Sequence, residues 1–122
     1  MIKKKLVLLF VLIILFSFGI STFAGSASLS LSYGVDTELD YQLISSGSRT
    51  GRIQVTSLSS SSSPQLHMFM GGTGFVIISR TFTSPGVSTS YYTLKQSQYL
   101  KVSAESYSSG TLTANVNWSF NW

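Results

Sequence analysis

The sequence predicts an all-β protein, an antiparallel β-sandwich of about seven to eight strands, preceded by a helical signal peptide. Three observations support this prediction. First, beyond the N-terminal segment, apolar residues recur at every second position, and no helical stripe persists. Second, turn-forming residues interrupt this pattern every eight to twelve residues or so, as in sandwiches and small barrels. Third, the chain begins with a lysine-rich and then strongly apolar segment of the kind that directs export.

The first 24 residues are predicted to be the signal peptide. Adjacent lysines at positions 3–5 precede an unbroken apolar run, residues 6–16, which is followed by small and weakly polar residues. We expect cleavage after Ala24 or Ala27 and take Ala24, which leaves residues 25–122 as a single secreted, extracellular domain. The alternative is an uncleaved N-terminal membrane anchor, because the apolar segment approaches the roughly 20 residues that a membrane span needs.

The signal segment holds most of the excess positive charge. The chain has eight basic and four acidic residues, and three of the basic ones lie at positions 3–5, so the mature domain has a net charge of +1. No two of its basic residues are adjacent, whereas a nucleic-acid-binding domain keeps a basic patch. We therefore expect no nucleic-acid partner. Without any cysteine, the domain must be stabilised by apolar burial and backbone pairing alone, or by association with other copies of itself.

The C-terminal segment is the best candidate for a core strand. Its apolar residues alternate without error against threonine, asparagine and serine, so that one face is entirely apolar. These residues are Leu112, Ala114, Val116, Trp118, Phe120 and Trp122.

The same alternation predicts further strands at residues 29–33, 39–43, 53–55, 65–70, 75–82, 91–94 and 99–104. Between them, residues 47–51 are predicted to form a hairpin loop, and residues 59–64 a flexible connection. Residues 76–78 are consecutively apolar, which favours a central strand covered on both faces and therefore a sandwich rather than a barrel.

Three carboxylates alternate along the second predicted strand and would project from one face. Asp36, Glu38 and Asp40 are only a weak candidate for a calcium site. Same-face residues on a strand lie about 6.6 Å apart, whereas calcium ligands lie roughly 2.3–2.6 Å from the ion, so the three carboxylates cannot all reach one ion from a regular strand. We expect a solvated face instead, with Arg52 pairing with Asp40 across the predicted hairpin. With one histidine and no cysteine, neither zinc nor copper has a ligand set, and no cofactor is expected.

His67 is the only histidine and the only conventional candidate for a catalytic base. In a serine-rich chain some hydroxyl will lie near it by chance, and a hydrolytic site also needs an orienting acid. We therefore expect no enzymatic activity, and a small secreted hydrolase is kept as an alternative that depends on His67.

Exposed aromatic side chains are the candidate binding residues. Trp118 is expected to pack mainly in the core, whereas Trp122, if exposed, could dock on sugar, a lipid headgroup or another subunit. Four tyrosines near two turns suit contact with carbohydrate or protein: Tyr91, Tyr92, Tyr99 and Tyr107. The uncharged polar face of the last predicted strand also suggests a homo-oligomer formed through sheet edges.

Three short pieces resemble the lactococcin-type bacteriocins, which are β-sandwich proteins. They are Tyr33-Gly34-Val35, Gly47-Ser48-Arg49-Thr50 and Trp118-Ser119-Phe120-Asn121-Trp122. The resemblance implies an exported, cysteine-free protein that binds the lipid-linked precursor of the cell wall. The leading hypothesis is a secreted, non-enzymatic protein that binds at a cell surface, such as a bacteriocin-like effector. The alternative is a self-associating structural protein of the extracellular space.

Overall fold

The computed structural model describes residues 23–121, with the side chain of the last residue excepted, so most of the predicted signal peptide and Trp122 lie outside the described part. The described chain forms eight strands and contains no helix able to cross a membrane. The strands are β1 (Phe23–Ser32), β2 (Asp36–Ile44), β3 (Gly47–Ser60), β4 (Leu66–Gly72), β5 (Phe75–Phe82), β6 (Gly86–Leu94), β7 (Gln98–Ser106) and β8 (Thr111–Asn121).

The strands form two four-stranded antiparallel sheets that pack on each other. The first sheet has the order β1-β8-β3-β6, and the second has the order β2-β7-β4-β5. All strand pairs are antiparallel. The predicted all-β sandwich is therefore confirmed, and eight strands match the upper end of the expected number.

The last strand is a core strand, as its alternation predicts. β8 lies between β1 and β3, and its inward residues Leu112, Ala114, Val116, Trp118 and Phe120 are all buried. They pack against inward residues of the second sheet, including buried aliphatic and methionine side chains of β4 and β7. Because β8 is paired on both sides, its polar side chains cover a sheet face rather than an edge.

A β-bulge in β2 overturns the predicted facing of that strand. Glu38 pairs with Ser103 and Asp40 pairs with Val102, so Leu39 is an extra residue without a counterpart. An extra residue reverses the faces of everything that follows it in a strand. Tyr41 therefore points outward and is 56% exposed, although the alternation predicted it to be inward. The prediction that three carboxylates share one face is wrong for the same reason.

Asp40 faces the other sheet and accepts a hydrogen bond there. Trp118 donates its indole Nε1–H to Asp40 Oδ2 at 2.9 Å, which ties β8 of the first sheet to β2 of the second. The predicted pairing of Arg52 with Asp40 is wrong, because β2 and β3 belong to different sheets. Arg52 donates instead to Gln54 Oε1 at 3.1 Å.

Residues 47–51, predicted to be a hairpin loop, are the first residues of β3. The chain turns earlier, at Ser45 and Ser46, and passes there from the second sheet to the first. Gly51 serves packing between the sheets: a Cβ at this position would lie 2.9 Å from both Ile77 Cγ2 and Met70 Sδ. The predicted flexible connection also begins later than expected, because β3 continues to Ser60, which pairs with Leu112.

The strand that contains residues 76–78 is an edge strand and not a central one. β5 pairs only with β4, and Val76 is 55% exposed. The unbroken apolar run has another cause. Met70 pairs with Ile78 and Gly71 pairs with Val76, so Ile77 is a bulged residue, and both isoleucines face the core.

One cation is enclosed at the end of the core. Arg49 is 1% exposed, donates from Nη2 to Ser45 Oγ at 2.8 Å, and places its guanidinium carbon 5.9 Å from the centre of the Phe120 ring. Burial lowers the pKa of the Arg49 guanidinium, because a low-dielectric site disfavours the charged form.

Candidate functional site

The outer face of the second sheet carries a shallow trough made of two adjoining depressions of about 250 and 200 Å³. Phe69 and Lys101 line both depressions and therefore lie at its centre. We call this surface the outer trough. Its first depression is completed by Asp36, His67, Ser103, Glu105 and Tyr107, and its second by Tyr41, Gly71, Gly72, Thr73 and Tyr99.

Strand register places the polar residues of the outer trough in one row across the sheet. Asp36 of β2 lies opposite Glu105 of β7, which lies opposite His67 of β4, and His67 lies opposite Thr81 of β5. The next row contains Ser103 opposite Phe69. Residues directly opposite in such a row have Cβ atoms about 4.5–5.5 Å apart, so each row places side chains within reach of one ligand.

Two stacked ring pairs flank the outer trough. The rings of Tyr41 and Tyr99 have centroids 5.0 Å apart and planes within 4° of parallel, and both side chains are more than half exposed. At the other end, the His67 and Tyr107 rings stack with centroids 5.4 Å apart. The Lys101 ammonium lies 5.7 Å from the centre of the Phe69 ring, within cation–π range. The trough thus offers aromatic faces at both ends and in the middle.

Glycine keeps the second depression open. A Cβ at Gly71 would come within 2.8 Å of the Phe69 ring and 2.6 Å of a backbone carbonyl oxygen. Any larger residue there would have to displace the ring that the two depressions share. The absence of a side chain at Gly71 therefore helps to shape the trough.

The two nitrogens of His67 are both engaged by hydroxyl groups. Nδ1 lies 3.1 Å from Thr81 Oγ1, and Nε2 lies 3.2 Å from Ser79 Oγ. A hydroxyl either donates or accepts, so both contacts suit a neutral imidazole in either tautomer. A serine is thus near the histidine, but the second ring nitrogen contacts Thr81 in place of the carboxylate that a hydrolytic triad places there.

The carboxylates of β2 do not converge on a cation site. Among the residues that the structure describes, no group of three or more histidine, aspartate or glutamate side chains is arranged to hold a metal ion. The bulge turns Asp40 toward Trp118, while Asp36 and Glu38 remain on the outer face. The weak calcium candidate therefore has no geometric support here.

The predicted binding aromatics are divided between the two sheets. Tyr99 and Tyr107 line the outer trough. Tyr91 and Tyr92 belong to β6 of the first sheet, where hydrogen bonds with Ser48 and Thr93 lower the pKa of the Tyr91 phenol. Tyr92 is half-buried and stacks on the Phe75 ring with centroids 5.1 Å apart.

The two tryptophans offer no exposed ring within the described residues. Trp118 is 5% exposed and packs in the core. Trp122 lies outside the described residues, and its proposed role as a docking residue stays a prediction.

Sequence reasoning missed the centre of the trough. The alternation of residues 39–43 placed Tyr41 on the inward face, opposite the carboxylates. Phe69, Lys101 and Ser103 were not named as candidate binding residues. A signal for the last two was present, because Lys101, Ser103 and Glu105 alternate with the buried Leu100, Val102 and Ala104. No such signal existed for Tyr41, whose direction depends on the bulge.

The outer face of the first sheet is different in character, since uncharged hydroxyl and amide groups cover most of it. Asn115 accepts from Ser28 Oγ and donates to Ser57 Oγ, both at 2.8 Å, and Asn117 donates to Gln54 Oε1 at 3.3 Å. These side chains satisfy one another within the molecule. Shallow depressions on this face are lined mainly by serine, threonine and asparagine.

Neither a scan against protein-family models nor a search of curated proteins finds a match for this chain.

Proposed function

We propose that this protein is a secreted, non-enzymatic binding protein that acts at a cell surface, where the outer trough holds a glycan-containing component of the cell envelope. The observation that carries the proposal is the trough itself, in which exposed aromatic rings alternate with hydrogen-bonding side chains along one sheet face.

Sugar rings present apolar C–H faces and polar hydroxyl edges, so their sites combine aromatic rings with a few well-placed polar groups. Tyr41 and Tyr99 offer the apolar contact at one end, and Phe69 offers it in the centre. Lys101 donates hydrogen bonds, whereas Glu105 accepts them. The trough is open along its length, which suits an internal segment of a polymer.

Charge narrows the class of ligand. The residues that line the outer trough include two carboxylates, Asp36 and Glu105, and one cation, Lys101. A polyanion would be repelled by this balance and would gain no long-range attraction from a domain whose net charge is close to zero. The proposal therefore favours a neutral or amine-bearing envelope polymer, consistent with an effector that acts on cell walls.

The test is co-sedimentation of the purified protein with insoluble cell-wall sacculi. The combined Tyr41→Ala and Tyr99→Ala variant is expected to bind about tenfold more weakly, since each substitution removes an exposed ring from the trough. Tyr91→Ala is the matched control, because Tyr91 is 68% exposed on the opposite sheet. Equal binding by the double variant and the wild-type protein would place any envelope site elsewhere.

Growth inhibition is the second readout. Protein spotted on lawns of related bacteria is expected to clear them if binding serves an effector role, and the double variant is expected to lose that activity. Binding to sacculi without clearing would leave a cell-surface binding protein that is not an antibacterial effector.

A second function, self-association into an extracellular assembly, is favoured by one specific observation. β1 and β6 are the edges of the first sheet, and neither strand contains a charged residue or a proline. Natural proteins usually protect long edges with such residues. The two edges lie on opposite sides, so pairing of β1 with β6 of another copy would extend the sheet without closing it.

Sedimentation at increasing protein concentration tests this alternative. Lysine substitutions at Ser30 and Ser88 place one charge on each edge strand, and they are expected to return any assembly to monomers. A wild-type protein that stays monomeric at high concentration would exclude it.

A further inference from the structure

The two carboxylates of the outer trough face each other without a cationic partner. Asp36 and Glu105 lie directly opposite on β2 and β7, an arrangement that is destabilising for like charges. Within residues 23–121, neither of them forms an ion pair with a lysine or arginine. Lys101 lines the same depression, but its ammonium lies 5.7 Å from the centre of the Phe69 ring and forms no ion pair with either carboxylate. Some other positive charge would relieve this repulsion.

A hydroxyl group without a partner in the described chain faces the same place. Ser103 is 5% exposed, belongs to the row next to Glu105, and lines the first depression. In the described part of the chain its Oγ makes no hydrogen bond. Solvent reaches this oxygen in the free protein, so a ligand that donates a hydrogen bond to it takes the place of a water molecule.

On this basis, which rests on the proposed glycan-binding function, we propose that the first depression binds a protonated primary amine of the envelope ligand. An ammonium group has three donors and no acceptor. Asp36, Glu105 and Ser103 Oγ supply three acceptors around one depression. The stacked rings of His67 and Tyr107 form a wall beside them, and an aromatic wall attracts a cation.

An ammonium group fits this depression better than a metal ion. Calcium takes six to eight oxygen ligands, and only two carboxylates of the described chain meet here. The ring nitrogens of His67 are already engaged with Ser79 and Thr81, which leaves them without a free lone pair for a metal.

Chemical acetylation of the sacculi tests the proposal, because acetic anhydride converts free amines to neutral amides and removes their charge. Wild-type binding to acetylated sacculi is expected to be about tenfold weaker, because acetylation removes the charged donor of a hydrogen bond. Glu105→Gln is expected to bind untreated sacculi about as weakly as the wild-type protein binds acetylated ones, and to be insensitive to acetylation. Glu38→Gln is the matched control, since Glu38 lies on the same face outside the depression, and it is expected to keep the wild-type response.

The amine could come from a sugar or from a peptide, and competition separates the two. Inhibition of sacculus binding by glucosamine oligomers but not by their N-acetylated forms identifies an amino sugar. Inhibition by released, amine-bearing wall peptides identifies a peptide amine. Both results support the proposal.

Two results would overturn it, and they differ in what else they imply. If acetylation leaves wild-type binding unchanged while the Tyr41 and Tyr99 substitutions abolish it, the glycan-binding function stands and the amine site falls. If the wild-type protein does not bind sacculi at all, the proposed function and the amine site fall together.

Discussion

At the scale of single residues, the contact between Asp40 and Trp118 joins the two sheets. Within the described residues Asp40 is the acceptor of the indole N–H, and because this acceptor is a carboxylate the bond is of the stronger, charge-assisted type. Asp40→Ala is expected to lower the free energy of unfolding by about 2 kcal/mol, because it leaves a buried donor unsatisfied. Urea unfolding followed by tryptophan fluorescence measures this change.

Two substitutions distinguish that hydrogen bond from general effects on β2. Asp40→Asn retains an acceptor oxygen and is expected to lower the free energy of unfolding by about 1 kcal/mol or less. Glu38→Ala removes an exposed carboxylate from the same strand and is expected to change it by no more than about 0.5 kcal/mol. Equal losses for Asp40→Ala and Glu38→Ala would contradict a structural role for the inter-sheet bond.

Gly51 gives a second prediction at this scale. Gly51→Ala places a methyl group 2.9 Å from Ile77 Cγ2 and Met70 Sδ and is expected to destabilise the protein by about 1–3 kcal/mol through overpacking. Gly86→Ala is the control, because the nearest atoms to a Cβ there are 3.9 Å away. Thermal unfolding of the two variants should show a clear loss for Gly51→Ala and little change for Gly86→Ala. A Gly51→Ala protein as stable as the wild type would mean that the sheets separate there at no cost.

At the scale of elements, alternation found the strands but not the bulges. The period-two pattern located β8 and its buried face correctly, because every residue of that strand alternates. In β2, the extra residue Leu39 reverses the direction of the side chains that follow it. The order of apolar and polar residues is the same whether such a residue is bulged or paired, so the sequence does not reveal the bulge. The apolar run of β5 was interpreted as a central strand, but β5 is an edge strand and the bulge at Ile77 accounts for the run.

The start of β1 gives a prediction about processing. Gly25, Ser26 and Ala27 pair with Trp118, Asn117 and Val116, and a Cβ at Gly25 would lie 2.5 Å from the indole ring. A protein that begins at Ser28 lacks these pairs and uncovers part of Trp118. We expect it to be about 2 kcal/mol less stable than one that begins at Gly25. This figure corresponds to the exposure of roughly 80 Å² of apolar surface at about 25 cal/mol per Å².

Urea unfolding of the two forms measures that difference, and intact-mass analysis of the exported protein shows which form the cell makes. Equal stability would show that the first three residues of the domain add nothing to the sheet.

At the scale of the whole molecule, the fold class followed from the sequence and the site did not. Alternation, turn spacing and the lack of cysteine depend on local composition, which one sequence displays directly. The outer trough depends on register, which brings Asp36, Glu105 and His67 into one row from three strands. Positions far apart in the chain meet there, and no local pattern indicates which strands are neighbours in a sheet.

The two outer faces of the sandwich differ in their chemistry. The hydroxyl and amide groups of the first sheet bond to one another, whereas the outer trough on the second sheet has exposed rings, facing carboxylates and the Ser103 hydroxyl, which has no partner in the described chain. Unsatisfied and exposed groups of this kind are where a ligand gains most from binding. We therefore propose the second sheet as the face that binds the ligand.

The most direct test of that assignment is a two-dimensional NMR titration of the isotope-labelled protein with soluble cell-wall fragments. The amide signals that shift are expected to belong to the outer trough, around Phe69, Lys101, Ser103 and Glu105, while those of Ser28, Asn115 and Tyr91 stay in place. Shifts confined to the first sheet, or no shifts at any concentration of fragments, would contradict it.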